Sequence, residues 1–287
     1  MLVDDGERRS LGAALGWAER QGLSELHVVV DVAADPSTPG YLAWRAAAFA
    51  APPAVWALAG QELQPATEEP PAPDPVLPAA ALALVPLIEE EGAEAVVEHG
   101  VLRAEVLGLE VARGVADPSG GWRLEVGVGA HDRAALAELR PGEDPRAALR
   151  RVVAAVRRFR RAGVPAHPAN LLARERWLRA VLIARPELVG VGALAPLPPP
   201  LPRSDLRLPS PAPAAGEGVV VVASTGVDVD LVPAAASVRR AHDPGARLVL
   251  AVPEGDDYPL TRRLATGLAE PAAVRTVPRD WPEVGHR

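Results

Sequence analysis

Two proline-rich stretches interrupt this chain and limit what it can fold into. The first covers residues 64–78 and contains Glu68-Glu69-Pro70-Pro71-Ala72-Pro73; the second covers residues 194–218 and contains Pro198-Pro199-Pro200 and Pro209-Ser210-Pro211. Proline cannot donate to a helix or a sheet ladder, so both read as extended surface linkers. They leave three segments, 1–63, 79–193 and 219–287, in a chain of 287 residues, long enough for two domains or one with appendages.

The outer segments alternate helix and strand patterns. In the first, a helix is expected over 7–21, a buried strand at Leu26-His27-Val28-Val29-Val30, a helix over 41–50 and a short strand over 55–58, a small βαβ-like unit. In the last, strands at 219–222, 248–252 and 274–277 alternate with helices at 231–241 and 260–268, which implies a parallel, Rossmann-like sheet. Whether the outer segments share one sheet is open at this stage. The middle segment begins with an apolar helix over 79–91, restarted at Pro86. Strands follow at 95–98, 102–113 and 122–128, the last two joined through Asp117-Pro118-Ser119-Gly120-Gly121, and then helices at 133–139, 145–161 and 170–185. The expected class is α/β, with an α-β-β-β-α middle segment. Hydrophobic residues make up 48% but aromatics only 3%, so the core is built from small and β-branched side chains.

Charge is distributed unevenly. All thirty basic residues are arginine, and eleven lie between Arg146 and Arg185 with one acid, Glu175, among them. That stretch carries about +10 and the remainder about −17. Within the helix over 145–161, Leu149, Val152, Val153, Val156 and Phe159 form an apolar stripe. Arg146, Arg150, Arg157 and Arg161 form a second stripe, with Arg151 and Arg158 beside it. Guanidinium forks in such a row suit phosphates, which points to nucleic acid as a partner; the competing reading pairs them with the protein's own acids. Trp177 is expected in the core.

Composition also excludes chemistries. Without lysine there is no Walker-type phosphate loop, Schiff-base catalysis or Tyr-Lys dehydrogenase pair; without cysteine there are no disulfides, thiolate metal sites or cysteine nucleophiles. The residue bias matches a GC-rich genome. The chain opens without a basic stretch leading into an apolar run, and its apolar stretches are short and contain proline, so neither a signal peptide nor a membrane span is expected and a cytoplasmic location is. Whether it has a protein partner or forms a homo-oligomer is open.

The sharpest hint of chemistry lies in the middle segment. Residues Gly92-Ala93-Glu94-Ala95-Val96-Val97-Glu98-His99-Gly100 lead into Ala104-Glu105-Val106-Leu107-Gly108-Leu109, and Leu124-Glu125-Val126-Gly127 follows the turn. This resembles the PD-(D/E)XK nuclease-like superfamily, especially its small resolvase-like members. There a Gly-Glu-Ile-Asp strand precedes a hairpin partner reading Val-Glu-Val-Lys, and carboxylates on adjacent strands hold Mg²⁺ against a phosphate. The resemblance covers residues 79–165 and implies that Glu105 and Glu125 are the metal-binding, catalytic glutamates. Leu107 stands where the family has its metal-binding aspartate and Gly127 where it has its lysine, with Glu110 or Arg113 as substitutes only in a shifted register. The implied protein is a nucleic-acid-associated homologue with a lost or altered Mg²⁺ site.

Two further readings stand beside it. Ser224-Thr225-Gly226-Val227-Asp228-Val229-Asp230 joins a strand to a helix, where parallel sheets bind ligands, so Ser224, Asp228 and Asp230 are candidate contacts for a small molecule or nucleotide. The ordinary alternative is a turn with an Asp helix cap. Pro253-Glu254-Gly255-Asp256-Asp257 places an acidic rim at the next strand. The third reading is a non-catalytic interaction module. His131-Asp132 and His242-Asp243 lack the further ligands at helical spacing that HD phosphohydrolases need, and His167 reads as a loop residue before an Asn170 helix cap.

Overall fold

A computed structural model of the chain describes residues 2–3, 10–33, 35–118, 120–140, 142–161, 164, 167–202 and 210–284. The expected helix start at 7–9, Ser119, Pro165, Ala166 and residues 203–209 of the second proline-rich stretch lie outside the described residues. The fold is α/β, and the described residues form three sheets. It divides into two compact units, one of Met1–Ala72, Pro186–Pro200 and Ser210–Arg279, the other of Pro73–Arg185, Leu201–Pro209 and Asp280–Arg287. No described helix is long and apolar enough to cross a membrane.

The first unit begins with β1 (Leu2–Val3), α1 (Ser10–Gln21), β2 (His27–Asp31), α2 (Thr38–Ala46), β3 (Ala54–Ala59) and β4 (Glu62–Pro65). Strands β1, β2 and β3 are parallel neighbours and β4 returns antiparallel to β3. Gln64 and Pro65, the first residues of the expected linker, are therefore strand. Helix α2 starts earlier than expected because Pro39 fits its first turn, where a missing N–H costs nothing.

The second unit contains α3 (Ala79–Leu82), α4 (Val85–Glu90), β5 (Glu94–Glu98), β6 (Val101–Val106), β7 (Leu109–Ala116), β8 (Trp122–Val126), α5 (Gly129–Leu139), α6 (Pro145–Phe159) and α7 (Arg174–Ala184). The apolar helix restarts with Pro86 in the first turn of α4. The single strand expected over 102–113 is instead a hairpin. Leu107 and Gly108 both take left-handed backbone (φ 48 and 74) and reverse the chain, giving the antiparallel order β5-β6-β7-β8. Turns of this shape favour Asn-Gly or Asp-Gly; Leu107 is an uncommon choice and left no signal. Buried Leu149, Val152, Val153 and Val156 of α6 pack with Leu102, Ala104, Leu109 and Val111 of the sheet, so the apolar stripe is core. Phe159 instead stacks on His167 at 3.9 Å between ring centroids. Asn170 does not cap α7: its amide donates to the Phe159 carbonyl (2.8 Å), tying off the end of α6, and it sits in a 3-10 turn before α7.

The first unit resumes with β9 (Ala195–Pro196), β10 (Ala212–Gly216), β11 (Val219–Ala223), α8 (Leu231–His242), β12 (Arg247–Pro253), α9 (Pro259–Thr266) and β13 (Ala273–Val277). Strands β11, β12 and β13 are parallel, and β10 and β9 extend the sheet antiparallel in the order β13-β12-β11-β10-β9. Both added strands fall in the second proline-rich stretch. The outer segments thus form two sheets within one compact unit. Helices α1 and α2 pack on α8, while α8 also packs on β11 and β12. Every residue from Leu231 to Arg239 is buried as a result, and Ala234, Ala235, Ala236 and Ser237 allow the close approach on both sides.

Candidate functional site

The carboxylates singled out in the second unit are held by arginines. Residues of β6 alternate, with Leu102, Ala104 and Val106 in the apolar core and Arg103 and Glu105 in a buried ionic layer. Glu98, Glu105 and Glu110 are at most 5% exposed. Arg176 of α7 bonds both Glu98 and Glu105, and Arg179 approaches them at 3.5 and 3.7 Å. Glu110 receives Arg103 (3.0 Å), Arg113 (3.0 Å) and Arg133 (2.6 Å). Burial opposes the charge of Arg176, but Glu105 and Glu98 outweigh it and hold its pKa above the ordinary arginine value. Glu94, opposite Glu105 in the β5–β6 register, is pushed upward by desolvation and by Glu105.

This arrangement does not fit Mg²⁺. Glu125 lies on β8 opposite Arg113, with β7 between it and β6, and its half-exposed carboxylate pairs with Arg123 at 2.8 Å. Glu105 and Glu125 are therefore not on adjacent strands, because the Leu107-Gly108 turn inserts one between them. No group of three or more His, Asp or Glu side chains is placed to hold a metal among the described residues. The family's lysine position is closed as well. Gly127 has φ 145, and a Cβ there would stand 2.7 Å from the backbone nitrogen of Arg133.

The arginine row of α6 is largely engaged. Arg146 reaches Glu90 and Glu91 (2.6 and 3.2 Å), Arg150 reaches Glu91 (2.7 Å) and Arg151 reaches Glu143 (2.8 Å). The bond from Arg150 holds the Glu91 carboxyl below its ordinary pKa. Arg157 donates to the Gly92 carbonyl at 2.6 Å. Arg158 and Arg161 are exposed and neither forms an ion pair with a described residue. Arg160, which carried no expectation, is 1% exposed and donates to the carbonyls of Leu107, Ala169, Leu172 and Ala173. Trp177 is core as expected, edge-on to Trp281 and beneath the Arg160 guanidinium.

A cleft of about 360 Å³ lies at the carboxyl ends of β11 and β12, between the 224–230 loop and α9. Val227, Val229, Val232, Tyr258, Leu260 and Arg20 are among its walls. The loop has inverted polarity. Ser224, Thr225 and Asp230 are buried at 1, 5 and 6% exposure, while Val227 and Val229 are 65 and 43% exposed. Asp230 accepts from the fully buried Arg45 at 2.9 Å, and Arg45 also donates to Ser237. Burial opposes the Arg45 charge, but Asp230 more than compensates and its pKa is raised. Asp228 accepts from the Asp230 amide. Helix α1 presses on the loop: a Cβ at Gly12 would meet the Val229 carbonyl oxygen at 2.3 Å.

Of the three loop residues expected at a ligand, Asp228 lines the cleft, Asp230 is bound beneath it by Arg45, and Ser224 is buried at the strand end. Sequence reasoning missed Val227 and Val229, which alternate with the two aspartates. Apolar residues alternating with acids in a loop were the available signal. No protein-family model matches the chain, and neither curated proteins nor solved structures include a match.

Proposed function

We propose that this protein binds a small molecule in the cleft at the carboxyl ends of β11 and β12. The inverted polarity of the 224–230 loop carries this reading: polar side chains are turned inward while two valines face solvent at a concave surface. Exposed apolar residues gathered in a concavity are characteristic of a recognition surface, and strand ends of parallel sheets are a recurrent place for one. The walls are mostly valine, leucine and tyrosine, so the ligand has an apolar body. The neutral solvatochromic dye Nile red tests this. Saturable emission at one site is expected, lost in Val229→Glu with the folding free energy unchanged within about 0.5 kcal/mol, since the side chain is at the surface. Retained emission in that variant contradicts the reading.

A second reading keeps the nuclease-like resemblance in a non-catalytic form, with Glu105 and Glu125 as remnants and nucleic acid as partner. The exposed Arg158 and Arg161, with Arg157 beside them, favour it. Replacing these three by glutamine should then weaken duplex DNA binding and reduce its logarithmic salt slope by about 2–3. An unchanged slope removes this reading.

A further inference from the structure

The strand-end cleft shares a wall with a second one. That cleft, of about 350 Å³, is lined by the apolar Leu15, Leu23 and Phe49 and by the polar Glu19, Glu25 and His27, and Arg263 and Leu264 of α9 line both. The two meet along the seam between α1 and α9, where Gly16 keeps the helices close: a Cβ there would stand 3.1 Å from Leu260. One ion pair crosses the seam, from Arg263 to Glu19 at 2.6 Å, and both side chains are partly exposed (52 and 38%). The neighbouring Arg20 borders the strand-end cleft, is exposed, and makes no ion pair with a described residue.

We propose that the two clefts are the ends of one groove for an elongated ligand with an apolar body and a single anionic head, such as a medium-chain carboxylate. This rests on the strand-end cleft being a binding site. The charge pattern selects the head group. Arg20 offers at the groove a guanidinium that pairs with no acid among the described residues, and Arg263 holds a solvent-screened carboxylate that a ligand carboxylate replaces without leaving a buried charge. Exposed pairs of this kind contribute little to stability, so opening one is a small cost. With its head at Arg20 and Arg263 in the strand-end cleft, the ligand lays its apolar chain past Glu19 into the second cleft.

Calorimetric titration of the full chain with dodecanoate, dodecanol and hexanoate tests this. Dodecanoate is expected to bind about tenfold or more tightly than dodecanol, the factor that one charge-assisted hydrogen bond supplies. Glu19→Gln should tighten dodecanoate several-fold by removing the competing carboxylate, while Arg20→Gln should bring it towards dodecanol. Ala51→Trp, at an exposed position on the second cleft, should weaken dodecanoate and leave hexanoate unchanged. Equal affinity for acid and alcohol overturns the anionic head. No difference between dodecanoate and hexanoate, with Ala51→Trp silent, overturns the continuous groove. Nile red binding lost in Val229→Glu, together with no dodecanoate binding, sinks this proposal and leaves the cleft itself standing; absence of both sinks the two together.

Discussion

Arg45 has no exposed surface and its guanidinium sits 2.9 Å from Asp230, 185 residues later in the chain. Breaking such a buried pair leaves an uncompensated charge. Arg45→Met should therefore destabilise the fold by about 3–5 kcal/mol in urea denaturation, and adding Asp230→Leu should recover much of it. A single-variant loss below about 1 kcal/mol would contradict the assignment. Gly108 is constrained differently. Its φ of 74 and the Arg176 carbonyl carbon at 2.5 Å from a built Cβ leave no room for a side chain, so Gly108→Ala should cost more than about 1 kcal/mol. Neither residue stood out in the sequence. Nothing local distinguishes a buried arginine from the exposed ones, and a Leu-Gly turn looks like continuing strand. The stripe from Leu149 to Val156 was legible because its spacing alone decides which side faces the core.

At the scale of elements, α6 has an apolar side and an arginine side, and the arginine side is met by α4, its following turn and Glu143. The stripe was readable; its partners, 55 or more residues away for Glu90 and Glu91, were not. The pairing has a pH signature. Glu91 titrates below its ordinary value, so its contribution is fully present above the unfolded glutamate pKa of about 4.3 and is lost as pH falls through the lowered folded value. Glu91→Gln should lower the melting temperature at neutral pH and flatten its decline under acid; an unaltered acid limb would contradict the pairing. In the first unit, β11 and β12 were evident from unbroken apolar runs bounded by turn residues, and β13, which contains Arg275 and Thr276, from its place in the strand–helix alternation. Strands β9 and β10 were hidden by their prolines. Pro213 lies opposite Val222 in β10 and contributes its carbonyl, which accepts from Leu197 at 3.0 Å, where it lacks an N–H.

At the scale of the molecule, the arginine-rich stretch is largely paired with acids of the second unit itself, and a cleft of ligand size lies in the first. The outer segments, separated by the whole middle segment, build one compact unit from two sheets, an arrangement that no local pattern announces because each sheet has its own complete βαβ signature. The α/β class and most helices and strands were readable; the ionic layer and the cleft depend on distant residues meeting in space. Methyl-resolved NMR of the full chain titrated with 1-decanol tests the central claim. The shifts are predicted at Val227, Val229, Val232, Leu260 and Leu264, with Leu149, Val152 and Val153 of the second unit unmoved. Shifts confined to the second unit, or spread evenly over both, would contradict it.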